Sequence, residues 1–508
     1  MTHILAHDLG TSQNKAALYR IDDCSLESAV TASYTTHHPA PGWVEQDPAD
    51  WWDAVAASTR QLLSQAGVSP TDVAVVTFSG QMMGCLLVDG AGEPLGRSLI
   101  WADTRSTEPE AWMNQQVGED LGYRITGHRL SASYSAAKAL WLKWNRPELF
   151  ARAARMLNAK DYMVYRLTGE FFTDYSDASS TNLLDIRRRA WSTDLTEAFG
   201  LPAALLPELR ASAEVVGSVS AEAAAATGLA QGTPVAMGGG DGSCACVGAG
   251  VVEPGRAYNV IGTSSWISLA AREPHFDPAR RTFNWVHLDP ALVTPCGTMQ
   301  AAGFSYGWYH DTFFPGVDDA VLAAHIDAAR PGAGGVVFLP YLLGERSPLW
   351  DLNARGAFIG MGAATSAADM TRAVFEGIGY NLRLILEILD QASPIAAVRM
   401  IGGAARNRSW TQMLADIWDR PLELLADVET ATSRGAAVAG GISVGAYPDY
   451  SVAAEFAQVS RRVAPIAGRH GHYEVPFARF RESYSLLAPI FGKLAVDAAA
   501  RKEGGKLT

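Results

Sequence analysis

The chain is poor in several features that would each have pointed to a special class of protein. It has only five cysteines in 508 residues, at 24, 85, 244, 246 and 296. This odd, scattered set fits reduced thiols better than a disulfide framework. Cys244 and Cys246 stand two apart with no second Cys/His pair at zinc spacing, so small apolar packing is their expected role. No apolar run reaches the roughly 18 residues that a membrane-crossing helix needs, and no basic N-terminal stretch leads into such a run. These absences suggest a cytoplasmic chain with no membrane partner. A basic excess is missing too: 41 Lys and Arg stand against 53 Asp and Glu, a formal net charge of −12. Proteins whose main task is holding nucleic acid usually carry a basic face, so nucleic acid is not an expected partner. Any anionic ligand has to be held locally.

What is present is ample material for two packed cores. A length of 508 residues exceeds what one hydrophobic core usually serves, and 48% hydrophobic with 19% charged residues excludes disorder. The opening run from Thr2 ends in the turn Asp8-Leu-Gly10-Thr11-Ser12, and a second strand-like run, Lys15 to Ile21, follows at once. Together they predict a hairpin. A helix-like stretch from Asp50 to Ser64 and a buried strand from Val73 to Phe78 come next, which implies an α/β sheet. The pattern recurs where Pro234 to Met237 meets Gly238-Gly-Gly-Asp241-Gly242, where Ala257 to Ile261 meets Gly262-Thr263-Ser264, and where Val398 to Ile401 meets Gly402-Gly403. A weak duplication follows, with domains at 1–236 and 237–508. A helical, Trp-rich segment from Tyr123 to Leu195 is expected between the two halves, and the small, charged tail from Val496 is expected to fray.

The chemistry is written in the turns. A phosphate needs backbone N–H donors pointing into a concavity, and a side chain there would block its approach, so glycine is the residue of choice. Gly10-Thr11-Ser12, with Lys15 just beyond, and Gly262-Thr263-Ser264 both supply this. Phosphoryl transfer also needs carboxylates, to balance Mg²⁺ and to accept or orient the attacking hydroxyl. Asp8 and Asp241 each leave an apolar strand, Asp8 two residues before Gly10 and Asp241 between Gly240 and Gly242. The competing reading is that each caps a turn or a following helix. If Asp241 has an ordinary aspartate pKa, it is fully ionised at neutral pH.

At these residues the sequence resembles the FGGY family of carbohydrate kinases over nearly its whole length. The resemblance is carried by an ordered series: Asp8-Leu-Gly-Thr-Ser12, Gly42 to Pro48 before Trp51-Trp52, Gly80-Gln-Met-Met-Gly84, Ile100-Trp101-Ala-Asp103-Thr-Arg105, and Tyr134-Ser-Ala-Ala-Lys138. Leu167-Thr-Gly169, Gly240-Asp241-Gly242, Gly262-Thr-Ser264, Leu343 to Asp351, Glu376-Gly377 and Gly402 to Asn407 complete it. The resemblance implies two actin-like, ribonuclease H-like α/β domains of duplicated topology around a cleft. It implies an enzyme that uses ATP and Mg²⁺ to phosphorylate a small sugar. Asp241 is then the general base, and Asp8 acts beside the metal and the transferring phosphoryl group, with both carboxylates as metal candidates. Thr11, Ser12, Lys15, Gly262, Thr263 and Gly303 would face the nucleotide phosphates. Gly402, Gly403 and Asn407 would lie toward the adenine.

Sugar contacts are expected from Gln81, Met82 and Met83, with Trp101, Asp103 and Tyr134 nearby, where an aromatic face can pack on the sugar while carboxylates accept its hydroxyls. For Trp101 and Tyr134 plain core packing is an equal reading. Trp43, Trp51 and Trp52 are expected in the core, and Glu345-Arg346 is expected as a structural ion pair. Tyr134 to Trp141 and Arg146 to Phe150 are most similar to the xylulokinase branch. Two departures keep the sugar open: Met83 stands where that branch commonly has histidine, and Gly242 where it often has asparagine. Another ketopentose, a deoxy sugar or a polyol is the alternative substrate, and a nucleotide-driven switch of the actin kind is the alternative class. The oligomeric state stays open, a homodimer being one option.

Overall fold

Seven strands in each of two sheets carry the architecture. The computed structural model describes residues 1–426 and 430–504. In the first sheet, β1 (His3–Leu9) and β2 (Gln13–Arg20) form the expected hairpin. β3 (Leu26–Ser33) pairs outside β2, and β4 (Val73–Gly80) runs parallel to β1 on its other side. β5 (Val215–Ser218), β6 (Pro234–Ala236) and β7 (Gly239–Gly240) complete it, β6 and β7 both pairing parallel with β4. The second sheet comprises β8 (Arg256–Ile261), β9 (Ser265–Leu269), β10 (Phe283–Val286), β11 (Val293–Met299), β12 (Ala397–Ile401), β13 (Leu422–Leu425) and β14 (Val459–Val463).

The orders β3-β2-β1-β4-β6 and β11-β9-β8-β12-β13 are the same arrangement. Each opens on an antiparallel hairpin, adds a third strand outside the second, and returns a parallel strand beside the first. The duplication expected from the repeated turns is therefore a duplication of topology.

The run at Pro234–Ala236 shares the local form of β1 without being its counterpart in a second half. It is the fifth strand of the first sheet, and the counterpart of β1 is β8. A boundary between 236 and 237 cuts between two strands of one sheet, because β7 still pairs with β4 through Gly239–Ser79 and Gly240–Gly80. The segment from Tyr123 to Leu195 contains helices as expected, α2 (Ser135–Asn145) and α3 (Ala159–Thr168) among them. It lies in the connection from β4 to β5, inside the first domain and not between the halves.

The earlier helix α1 (Pro48–Ala66) shows how local chemistry sets an element. Asp47 accepts the Ala49 amide at 3.0 Å, Pro48 fills the first turn, and Gly67 ends the helix at φ 66°. Its apolar face buries Trp51 and Trp52 in the first core, as expected. Trp43 is half-buried instead, with the Arg105 guanidinium 3.8 Å from its ring centroid and Trp141 set edge-on at 5.2 Å. All five cysteines are free and buried.

Two later helices join the halves. α4 (Asp241–Gly248) and α5 (Ala431–Ser443) cross so closely that a Cβ on Gly248 would overlap the Ala431 carbonyl, and one on Gly435 the Cys244 carbonyl. α5 comes from the second half of the chain yet packs on β1 and β4 of the first sheet, burying Ala436 to Ala439 against Ile4, Ala6, Ala17 and Val75. The tail expected to fray from Val496 continues as part of the helix Gly471–Gly504, and residues 505–508 lie outside the described residues. No helix among the described residues is long and apolar enough to cross a membrane.

The crossing generates a test. Gly248→Ala and Gly435→Ala are each expected to destabilise the protein by about 1–3 kcal/mol or more, because the atoms they meet are backbone. Gly492→Ala, whose Cβ meets nothing within 4 Å, should be neutral or slightly stabilising. Thermal unfolding of the three variants checks this, and an unshifted midpoint for both crossing variants would refute the close approach.

Candidate active site

The register of three strands brings the two carboxylates together. Ser79 on β4 faces Asp8 of β1 on one side and Gly239 of β7 on the other. Two residues beyond Gly239 the chain turns into α4, whose first residue is Asp241. The glycines before it are required by packing: Gly238 has φ 67°, a Cβ on Gly239 would meet Ser176 Oγ at 2.9 Å, and one on Gly240 would meet Met82 at 2.7 Å.

Burial, followed by the nearby Asp8 charge, pushes the Asp241 carboxyl up to about 7, although the Gly242 amide donates to its Oδ1 at 2.7 Å. Burial also lifts Asp8, to about 6, with Ser79 and Lys15 pulling the other way. Both residues keep part of their surface open. The condition for full ionisation at neutral pH, an ordinary aspartate pKa, is therefore not met, since burial and a like charge disfavour the ionised form of Asp241.

Met82 is buried in an aromatic cluster with Tyr134, Phe283 and Trp285, against which Met83 and Trp350 also pack. Both halves of the chain contribute to this wall. Met83 has φ 64°, its amide donates to Ser180 Oγ at 2.9 Å, and its carbonyl accepts from the buried Lys138 Nζ at 2.7 Å. Gln81 donates to Gln46 Oε1 at 2.7 Å and retains an unpartnered Oε1. Trp101 donates from Nε1 to Thr11 Oγ1 at 2.9 Å, which ties the expected sugar side to the first phosphate turn. Tyr134 combines the two roles considered for it: its ring packs in the cluster, and its hydroxyl meets His128 Nδ1 at 2.9 Å. Burial holds that histidine neutral, with its pKa lowered to about 3.

Asp103 is a correction. It is fully buried, with Arg105 on both oxygens at 2.7–3.1 Å and the Val44 amide at 2.6 Å, so its carboxylate is occupied and not offered to a sugar hydroxyl. The Glu345-Arg346 pair is corrected in kind. Glu345 is structural, but it accepts the amides of Gln300 and Arg346 at 2.8 Å and Asn381 Nδ2 at 3.1 Å, not the Arg346 guanidinium. Burial raises its carboxyl to about 8.

In the second half, Gly262, Thr263, Gly303, Gly403 and Asn407 all line one cavity of about 930 Å³. Gly303 is bare because a Cβ would overlap the Gly262 carbonyl, to which its amide donates at 2.9 Å. A Cβ on Gly403 meets nothing within 4 Å. Gly402 is absent from the lining: at φ 92° it lies against the Ile261 carbonyl and shapes the turn from behind. Sequence reasoning missed the aromatic wall of this cavity, Tyr306, Trp308, Phe375 and Trp410. Tyr306 and Trp308 follow Gly303 on one helix, a signal indistinguishable from core packing.

Residues 3–248 match the N-terminal domain of the FGGY family of carbohydrate kinases, and residues 257–444 match its C-terminal domain. The chain belongs to the FGGY family. As an FGGY kinase it is 33% identical to a xylulose kinase of Bacillus subtilis over 96% of this chain and 97% of that one. Among solved structures it resembles a ligand-bound xylulose kinase and a gluconate kinase, both from Lactobacillus acidophilus. Each has a TM-score of 0.92 at 26% identity, with 97% of this chain covered and 100% and 99% of theirs. This FGGY kinase is thus a sugar phosphotransferase whose relatives bear the names of different substrates.

The Asp241 environment predicts a stability effect of definite sign. Because folding raises this carboxyl, its ionised form is penalised in the folded state. The penalty is absent below the ordinary aspartate pKa and complete above the folded value near 7. Asp241→Asn should therefore raise Tm by on the order of a degree or more at about pH 8, and by less at about pH 5. A Tm gain that fails to shrink on acidification would contradict the assignment.

Proposed function

We propose that the protein uses ATP and Mg²⁺ to phosphorylate a hydroxyl of a small sugar, with Asp241 as general base. A ketopentose such as xylulose is the substrate favoured by the relatives' names. The observation that supports this reading is the pair Asp8 and Asp241, held at adjoining strand ends with Asp241 raised to about 7. A base is most effective when its pKa lies near the working pH, where it is available and still holds a proton well. Asp241 takes the proton from the sugar hydroxyl as that oxygen attacks. Met82, Met83 and Trp101 form the sugar's surroundings, and Gln81 can accept from it through Oε1.

The two carboxylates also fit Mg²⁺. Their mutual repulsion favours a cation between them. Mg²⁺ takes one or two carboxylates and completes its shell with phosphate oxygens and water, so this pair would be enough to hold it. Bound there, Mg²⁺ would neutralise phosphate charge. Thr11, Ser12 and Lys15 face the phosphates from the first domain in this reading, and Gly262, Thr263 and Gly303 from the second. Gly403 and Asn407 serve the adenine side of the 930 Å³ cavity.

An ATP-coupled assay across pentuloses, hexuloses, sugar acids and polyols tests the substrate. ATP consumption indifferent to every sugar would defeat the proposal. Asp241→Ala is expected to lower kcat by about 10²–10⁴-fold while nucleotide affinity holds. Retention of more than about a tenth of kcat would remove Asp241 from the role.

Met83 gives a second test. It offers a thioether where an imidazole could hydrogen-bond a sugar, and its backbone is pinned at φ 64°, a conformation that histidine tolerates better than most residues. Met83→His should raise kcat/KM for D-xylulose several-fold relative to the best substrate of the panel, since one hydrogen bond is worth about 0.5–1.5 kcal/mol. An unchanged ratio would mean that Met83 does not read the sugar.

A further inference from the structure

Beneath the carboxylate pair lies a buried segment with no part in the mechanism so far: the helical turn Tyr175–Ala178 and the tighter turn Ser179–Thr181 that continues it. Its serines 176 and 180 are four residues apart, a spacing that places both on one face of a helical stretch. Each accepts a backbone amide from a different loop. Gly240, the residue before Asp241, donates to Ser176 Oγ at 2.9 Å, and Met83 donates to Ser180 Oγ at 2.9 Å.

Each hydroxyl spends its single hydrogen inward. Ser176 Oγ donates to Asp174 Oδ2 and Ser180 Oγ to the Asp177 carbonyl at 2.6 Å, which leaves the lone pairs to the loops. The segment itself is anchored. Asp174 caps its start, accepting the Ser176 and Asp177 amides at 2.9 and 3.3 Å and Ser212 Oγ at 2.9 Å. Lys160 Nζ stands 2.7, 3.2 and 3.7 Å from Asp161, Asp174 and Asp177, with all four side chains essentially inaccessible. The strand above is shaped to fit this anchor, since a Cβ on Gly80 would lie 2.7 Å from Lys160 Cβ.

We propose that residues 175–181, locked from below by Lys160, are a positioning element that holds two parts of the active site in register: Ser176 sets the turn that carries Asp241, and Ser180 sets the Met83 loop. The inference rests on the reading of Asp241 as the base. Its mechanical content is specific. The Ser176 contact governs how the base meets the reacting hydroxyl, and the Ser180 contact governs how the sugar is seated. A misplacement of about 1 Å can cost up to about 10²-fold in rate.

The two serines should therefore fail differently, an outcome that loss of general stability would not produce. Steady-state kinetics on the full chain, with the best panel sugar and ATP, provide the test alongside Tm and nucleotide affinity. Ser176→Ala is expected to lower kcat about tenfold with the sugar KM within about twofold. Ser180→Ala is expected to raise the sugar KM about fivefold or more with kcat within about twofold. Nucleotide affinity should hold in both. Lys160→Met should show both defects and Lys160→Arg should recover part of each; if Lys160→Met does not fold, the serine pair alone decides.

Equal effects of the two serine variants on kcat and KM, or no effect of either, would overturn the inference. Asp241→Ala run in parallel separates the layers. If it abolishes turnover while Ser176→Ala leaves kcat intact, the positioning role fails and the base stands. If Asp241→Ala turns over normally, the base reading falls and takes the inference with it.

Discussion

The proposed chemistry depends on two carboxylates being held close against their own repulsion. Asp8 and Asp241 are distant in sequence and adjacent in space because β4 pairs with β1 on one side and with β7 on the other. Backbone hydrogen bonds of the sheet supply the constraint. The surroundings then set the chemistry, since burial holds both groups above the ordinary aspartate range and the Asp8 charge lifts Asp241 further. A flexible loop bearing Asp241 would let it swing into solvent and relax to an ordinary acid. Gly238, Gly239 and Gly240 before Asp241 are part of the same constraint, because a Cβ on them would collide with Phe78, Leu288 and Met82.

The duplicated sheets divide the labour. Each presents the turn of its first hairpin, Gly10 to Ser12 in one and Gly262 to Ser264 in the other, at an equivalent point of the same strand order. The aromatic cluster around Met82, Tyr134 and Trp285 is built by both halves. A cluster made in this way responds to the relative placement of the two domains.

The sequence was legible where function demands unusual residues and opaque where common residues act through position. Asp8, Asp241 and the two turns stood out because carboxylates beside glycine-bearing turns at strand ends are seldom needed for packing. Pro234–Ala236 read as a recurrence of β1 because its apolar run and glycine turn have the same local form, and only the long-range pairing with β4 shows that it is another strand of the same sheet. Asp103 looked available because nothing in its spacing shows that Arg105, two residues on, folds back over both oxygens. The raised carboxyls were invisible for a related reason, since desolvation belongs to the assembled surroundings. Ser176 and Ser180 lie in a serine-rich stretch where four-residue spacing carries no signal of its own.

The placement of α5 has a consequence for synthesis. The face of the first sheet formed by Ile4, Ala6, Ala17 and Val75 is covered by a helix that is made only after the whole of that sheet. At about 5–20 residues per second, that apolar face waits on the order of ten seconds or more on the ribosome for its cover. The nascent chain therefore carries a sticky, incomplete domain through most of its own manufacture. A helix from the second half of the chain, not the first half itself, decides when this face is closed.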